Sequence, residues 1–191
     1  MNEIISQIYH AAALLGLTTS LGVGLSLSMV SPVAAQQPPH QFERTLTLDA
    51  ADLGHFHSRL GDGQLRITGH SDIDEIEVRA LVFYYDEEDI VFSLENINGE
   101  GRLEGGFVGG SYSGDAPYMD VEIRLPARFS TDIRHGDGKV EVKDLDDMVT
   151  IESGVGDINV ENVGGVRIQH RSGGKVSTRQ INGPVRISQR S

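Results

Sequence analysis

GDGKVEVKDLDDMVTIES (136–153), GVGDINVENVGGVRIQHR (154–171) and SGGKVSTRQINGPVRISQR (172–190) are one short sentence written three times at an offset of 18 residues. Each copy runs from a Gly-rich turn through a two-residue apolar alternation, a single apolar residue and a second turn to a second alternation. Val140, Val142, Leu145, Val149 and Ile151 become Ile158, Val160, Val163, Val166 and Ile168, and then Val176, Thr178, Ile181, Val185 and Ile187. Alternation of period two is the signal of a strand with one buried face. A fixed longer period marks a stack in which no copy buries its apolar face alone. The expected fold is all-β: a β-solenoid-like stack of short parallel strands, one coil per 18 residues or so, with an N-terminal strand region and a hairpin-type insertion.

In such a stack equivalent residues of successive coils lie ~4.8 Å apart, so outward positions become ladders. Lys139, Asp157 and Lys175 form one expected column, and Lys143, Glu161 and Arg179 another, both alternating in sign. Opposite charges on adjacent strands contribute ~0.2–1 kcal/mol per contact, which favours a parallel, in-step register more than it adds stability.

Upstream, LGDGQLRITGHSDIDEIEVRALVFYY (60–85) repeats the sentence: Gly-Asp-Gly, Leu65 and Ile67, Ile73 alone, then Ile76 and Val78 after one or two extra residues. The repeat is therefore expected to start near residue 55 and to be interrupted at 84–118. That insertion opens with Tyr84, Tyr85 and the acids Asp86 to Asp89, read as a solvated hairpin tip. Its GRLEGGFVGGSYSGDAPY (101–118) is read as a mobile Gly/Ser-rich segment. Alternation returns at Met119, Val121, Ile123 and Leu125 and stops at Pro126, which cannot continue a central strand. Phe42, Leu46 and Leu48 alternate earlier, after a Pro/Gln spacer at 36–41 expected to be flexible.

Residues 1–35 are different material. No charge interrupts Ala11 to Val30, and Val33-Ala34-Ala35 offers small residues for cleavage, so 1–35 is read as a secretory signal peptide. The 20-residue run is also long enough to anchor the chain in a membrane if uncut, and the segment before it holds Glu3 but neither Lys nor Arg. Either way the remaining chain, a single domain over 42–191, is expected outside the cytoplasm, in the periplasm or at the cell surface. Cysteine is absent, which removes disulfides, thiolate metal sites and a cysteine nucleophile. Residues 36–161 hold 27 acidic against 10 basic side chains, whereas 162–191 hold six basic ones and no acid. An acidic body with a basic cap is not the electrostatic footprint of a nucleic-acid binder.

VEIRLPARFSTDIRHGDGKVEVKDLDDMVTIESGVGDINVENVGGVRIQHRSGGKVSTRQINGPVRIS (121–188) resembles the DUF4097 ("putative adhesin") family of exported or membrane-attached bacterial proteins. The resemblance lies in a strand ending in Leu125-Pro126 and in repeated Ser/Gly-Gly-Asp-apolar units, here Ser153 to Ile158 and Ser172 to Val176. It extends over residues 42–190 and implies a β-solenoid-like domain with no accepted catalytic residues. The acidic insertion at 84–118 departs from the simplest members.

Four groups of side chains invite a chemical reading. Asp137, Asp144, Asp146 and Asp147 lie at turns, where oxygen ligands suit Ca²⁺, but the equivalent turns at 163–165 and 181–183 have lost their acids. Solubilising turn charge is the plainer reading, and no cofactor is expected. His55 and His57 flank Phe56 on one face of a strand, a spacing that grips Zn²⁺ or Cu²⁺, yet the sequence supplies no third ligand beyond His70 in the same coil. A carboxylate pair acting on polysaccharide needs a cleft that raises one pKa, and a chain without Trp offers little surface for stacking a sugar. Arg167, Arg171, Lys175, Arg179 and Arg186, with Arg190, fall on outward or turn positions of the last coils. They are the expected surface for an anionic polymer, an envelope protein or the acidic flank of a second copy; charge protection of a terminal coil is the plainer alternative. The resulting expectation is a non-enzymatic, exported, adhesin-like binding or structural module. An envelope-stress or signalling accessory acting by protein contact is the alternative, and a polysaccharide-acting enzyme the distant third.

Overall fold

The computed structural model describes residues 37–109, 112, 114–171 and 173–190; the expected signal peptide at 1–35 lies outside them. The strands are β1 (His40–Asp49), β2 (His55–Leu60), β3 (Leu65–His70), β4 (Glu75–Tyr84), β5 (Ile90–Ile97), β6 (Glu100–Phe107), β7 (Tyr118–Pro126), β8 (Ser130–His135), β9 (Val140–Ser153), β10 (Ile158–His170), β11 (Val176–Ile181) and β12 (Val185–Gln189). Among the described residues the only helical element is a 3₁₀ turn at Glu87–Asp89, whose first turn is closed by Asp86 accepting from the Glu88 amide. None of these residues belongs to a helix long and apolar enough to cross a membrane.

All 12 strands join in one mixed sheet that bends into two facing leaves. The first leaf runs β1, β4, β7, β3, the N-terminal arm of β9, the N-terminal arm of β10, and β11. The second runs β5, β6, β2, β8, the C-terminal arms of β9 and β10, and β12. The two ends of the path, β1 and β5, come together, so the sheet nearly closes on itself in a barrel-like way.

Over the three copies the register is the one that the alternation predicts. Val140 pairs with Ile158 and Ile158 with Val176; Val142, Val160 and Thr178 follow, then Leu145, Val163 and Ile181. On the other leaf Val149, Val166 and Val185 align, and so do Ile151, Ile168 and Ile187, all parallel. A one-residue register shift between Val163 and Gly165 absorbs the shorter link inside β10. Each corner is made in the same way. Asp144, Asn162 and Gln180 have φ of 59°, 54° and 53°, a left-handed step that swings the chain from one leaf to the other.

The upstream copy departs from the expected coil at this corner. Thr68 pairs with Lys143, so Gly69 stands where Asp144 makes its turn. Gly69 has no positive φ; β3 stays extended to His70 and pairs on to Pro126 of β7. Its Cβ position is blocked by the Asp144 carbonyl at 1.9 Å, so only glycine lets the two backbones approach there. Ile76 and Val78 therefore do not enter the second leaf. β4 doubles back antiparallel between β1 and β7, and β8, which follows the insertion, takes the vacant place beside β9. The fold is thus a mixed sheet, parallel through its middle and C-terminal part and antiparallel where β1, β4 and β5 close it, not parallel coils throughout.

Two smaller expectations are corrected. The segment read as mobile contains β6, which pairs antiparallel with β5 and parallel with β2. Its glycines serve packing: a Cβ on Gly101 would meet Ile76 at 2.8 Å and one on Gly105 would meet Leu60 at 2.7 Å. The last two residues of the Pro/Gln spacer belong to β1, where His40 and Gln41 pair with Tyr84 and Phe83.

The interior is filled from both leaves by columns such as Leu65, Val140 and Ile158, or Ile133, Ile151 and Ile168, all buried. One column is polar. His135, Ser153 and His170 stack in successive strands, buried, with only the His135 Nε2 to Gly63 carbonyl contact, 2.9 Å, satisfying a side chain among them. Burial pushes the His135 pKa down, against the smaller opposing effects of that hydrogen bond and of Asp62 and Asp137.

Candidate functional site

The predicted basic residues lie on the last two coils, Arg167 and Arg171 on the β10 copy and Lys175, Arg179 and Arg186 on the next. β11 and β12 each pair with β10 alone, leaving their outer edges without a strand among the described residues. The apolar columns come to the surface there, with Val185 48% and Ile187 47% exposed. Arg167 and Arg186 are direct neighbours in register on the outer side of the second leaf. Arg179 sits on the first leaf opposite Glu161, their charged groups 3.9 Å apart, and Lys143 approaches the same carboxylate at 3.9 Å. Lys143, Glu161 and Arg179 therefore form the alternating ladder expected of them. Arg171 and Lys175 flank the turn between the leaves. The Arg171 amide bonds the Ser153 carbonyl at 3.1 Å, and the Lys175 amide donates to Asp157 Oδ1 at 2.8 Å. The five basic residues thus surround the terminal coil on both leaves and at the turn between them.

The second predicted ladder is replaced by a different device. Lys139 turns to Glu141 at 2.6 Å and not to Asp157. The turn aspartates instead stitch one coil to the next through the backbone: Asp62 accepts from the Asp137 amide at 2.8 Å, Asp137 from the Val155 amide at 2.7 Å, and Asp157 from the Lys175 amide. Asp144 accepts from the Asn162 side-chain amide at 2.7 Å, and Asp147 from the Met148 amide at 2.7 Å. Asp137, Asp144 and Asp147 are thus spent on turns, and among the described residues the aspartates considered for Ca²⁺ do not converge on a common point.

Carboxylates do share a depression on the outer side of the first leaf, about 370 Å³, lined by Glu43, Asp120, Glu122 and Glu141 among others. The surroundings of Glu141 run against acid catalysis. Lys139, and with it Arg66 at 3.1 Å, holds the Glu141 carboxyl below the usual carboxylate range. A general acid in a glycosidase needs the opposite shift.

The two histidines read from the sequence acquire partners that the sequence did not place beside them. His55 and His57 share the outer face of β2, with ring centroids 4.3 Å apart. β8 lies alongside in parallel, setting Ser130 opposite His55 and Asp132 opposite His57. Asp132 Oδ2 is 3.3 Å from His55 Nε2 and 3.5 Å from His57 Nδ1. The far ring nitrogens are also engaged: His55 Nδ1 with Ser130 Oγ at 2.6 Å, and His57 Nε2 with Glu100 Oε2 of β6 at 3.1 Å. Arg102 bonds Glu100 at 3.2 Å; this contact, with lesser help from His57 and His55, lowers the Glu100 pKa. His57 and Asp132 open onto a depression of about 430 Å³ that Arg59, Arg102 and Arg134 also line. His70 takes no part; on β3 it meets the Arg124 side chain at 3.3 Å. The signal for Asp132 was the alternation Thr131, Ile133, His135 just before Gly136, which marks β8 as an arm of the stack.

No family model matches the chain, and no curated protein matches it. Several solved structures are similar over most of its length. A putative cell adhesion protein from Clostridium sporogenes is 17% identical, with 78% of this chain and 100% of that chain covered at a TM-score of 0.43. A putative adhesin from Bacteroides fragilis is 10% identical, covering 78% and 99%, with a TM-score of 0.31. A putative lipid binding protein from Parabacteroides distasonis is 8% identical, covering 76% and 96%, with a TM-score of 0.28.

Proposed function

We propose that the chain is an exported, non-catalytic envelope module of the DUF4097 type, whose mixed sheet carries a stack of parallel coils and binds a partner through the last of them. One observation carries this reading: among the described residues β11 and β12 leave their outer edges without a strand, and Val185 and Ile187 surface where the equivalent Val149, Val166, Ile151 and Ile168 are buried. A free edge offers a row of backbone donors and acceptors, and native proteins either blunt such an edge or use it. Pro184 and the basic side chains blunt it only in part. The same side chains give the edge a sign, because 162–190 holds no acid. An acidic partner that can present a strand fits both features, in the form of an envelope protein or the acidic body of a second copy.

Arg167, Arg171 and Arg179 are the residues on which this reading stands, with Lys175 and Arg186 beside them. Changing the first three to Glu, in the mature chain used as bait on envelope extracts and in sedimentation of the chain alone, is expected to abolish both capture and self-association. Val185→Asp together with Ile187→Asp is expected to do the same at unchanged charge elsewhere. Retained binding in both variants refutes the terminal coil as the binding surface. Loss in the charge variant alone assigns the contact to an anionic polymer, not to strand pairing.

A further inference from the structure

The cluster on the outer face of the second leaf has the construction of a metal site. We propose that His55 Nε2, His57 Nδ1 and Asp132 Oδ2 form a binding site for a divalent ion of the Zn²⁺ class. The first support is distance. Zn²⁺ holds nitrogen and carboxylate oxygen at ~2.0–2.1 Å in a tetrahedron, whose edge is then ~3.3 Å. Asp132 Oδ2 stands 3.3 Å from His55 Nε2 and 3.5 Å from His57 Nδ1, and each of the three residues offers a donor atom within 4.8 Å of those of the other two. An ion can enter between them without moving a strand.

The second support is what lies behind the ligands. A histidine that binds a metal through one ring nitrogen almost always has the other held by an oxygen acceptor, which fixes ring orientation and raises ligand basicity. Both rings meet this condition, by different means: Ser130 Oγ at His55 Nδ1, 2.6 Å, and Glu100 Oε2 at His57 Nε2, 3.1 Å. Glu100 is fixed in turn by Arg102 at 3.2 Å. A set of surface ion pairs serving only to hold the sheet has no need for the outer nitrogens to be arranged in this way.

The third support is donor chemistry. Two imidazoles and one carboxylate suit borderline ions such as Zn²⁺ and Cu²⁺, whereas Ca²⁺ and Mg²⁺ prefer all-oxygen sets. The three ligands leave a fourth position, and the depression beside His57 and Asp132 gives solvent a way to it. The ligands also come from two strands, β2 and β8, that are 75 residues apart at the His55 and Ser130 pair. Binding therefore ties together the segments on either side of the insertion and must stabilise the fold.

Calorimetric titration of the tag-free chain from residue 36 with ZnCl₂ at neutral pH is expected to show one ion per chain, with a rise in unfolding temperature. CaCl₂ and MgCl₂ are expected to show neither. Asp132→Ala and His57→Ala abolish both signals, while Ser130→Ala and Glu100→Gln weaken affinity by about 10–100-fold. All four side chains point outward from the sheet, so circular dichroism unchanged from the parent separates loss of a ligand from loss of the fold. The proposal is overturned if the parent chain takes up no Zn²⁺ saturably, if Ca²⁺ binds equally well, or if Asp132→Ala binds Zn²⁺ like the parent. None of these outcomes bears on the terminal coil, which lies on other strands.

Discussion

Replacing Ile151, Ile168 and Ile187 in turn by Ala probes one column of the stack from its middle to its end. Ile151 sits between Ile133 and Ile168 in register and is 0% exposed, while Ile168 is buried between Ile151 and Ile187. A buried Ile→Ala change loses the transfer free energy of its methyl and methylene groups and leaves a cavity the rigid sheet cannot collapse, ~2–5 kcal/mol. About 3 kcal/mol is expected at Ile151 and Ile168, which for a domain of this size lowers the unfolding midpoint by roughly 6–12 °C. Ile187 is 47% exposed, so about half of the ~1.5–3 kcal/mol for full burial is at stake and no closed cavity forms, giving about 1 kcal/mol. Urea unfolding followed by circular dichroism, on samples shown to be monomeric by sedimentation, measures all three. A cost at Ile187 equal to that at Ile151 would mean that something covers the terminal coil in solution, and the open edge behind the proposed function would be wrong. A cost below about 1 kcal/mol at Ile151 would refute the stack itself.

Gly138 has a φ of 137° and its Cβ position lies 1.7 Å from the Gly63 carbonyl oxygen, so Gly138→Ala is expected to cost at least ~2–3 kcal/mol through strain and separation of the two turns, read as a lower urea midpoint. Glu161→Ala removes the centre of the Lys143 and Arg179 ladder, whose groups are substantially exposed, and is expected to cost under ~1 kcal/mol and less still in 1 M salt. Asp157→Ala frees the Lys175 amide, and hydrogen exchange at that amide is expected to accelerate while the amides of β9 keep their protection. His135 gives a pH dependence of definite sign. Its pKa is lowered by burial from 6.5, so just below pH 6.5 the unfolded chain binds a proton that the folded chain refuses, and stability falls as pH drops through that window. His135→Leu is expected to flatten the unfolding free energy there while leaving the further loss in the carboxylate range, to which the lowered Glu141 contributes.

The period alone carries the reading of β9 to β12, because a sheet side chain has only two directions and any slip would send Val and Ile to solvent. All ten equivalences from Val140 to Ile187 follow from it. What the period does not carry is where a strand leaves the pattern. Gly69 and Asp144 hold equivalent places in the repeat, and only the backbone reveals that one continues straight and the other takes a left-handed step. The glycines of β6 mislead for a related reason. A glycine required by close packing and one that confers mobility are the same letter, and the distinction lies in Ile76 and Leu60 across the interior. The candidate metal ligands divide in the same way. His55 and His57 are neighbours in the chain and stand out by eye, whereas Asp132, Ser130 and Glu100 become neighbours only through pairing across the insertion.

That division also explains where chemistry collects in this molecule. In the regular coils outward side chains are committed to the repeat: Lys143 and Glu161 hold register, and Asp137 and Asp157 bind the next coil. A residue that must match its equivalents above and below is not free to build a site. On the second leaf the insertion breaks the equivalence, since β6, β2 and β8 come from unrelated segments and no copy constrains what stands beside what. His55, His57, Asp132 and Glu100 occupy that stretch. The terminal coil is the other place where the constraint lapses, because among the described residues β11 and β12 have a neighbour on one side only. Substitutions within the regular coils should therefore register as stability changes, and those at the two breaks in the period as changes in binding at near-constant stability; a binding defect from Lys143→Ala of the size found for Asp132→Ala would overturn this partition.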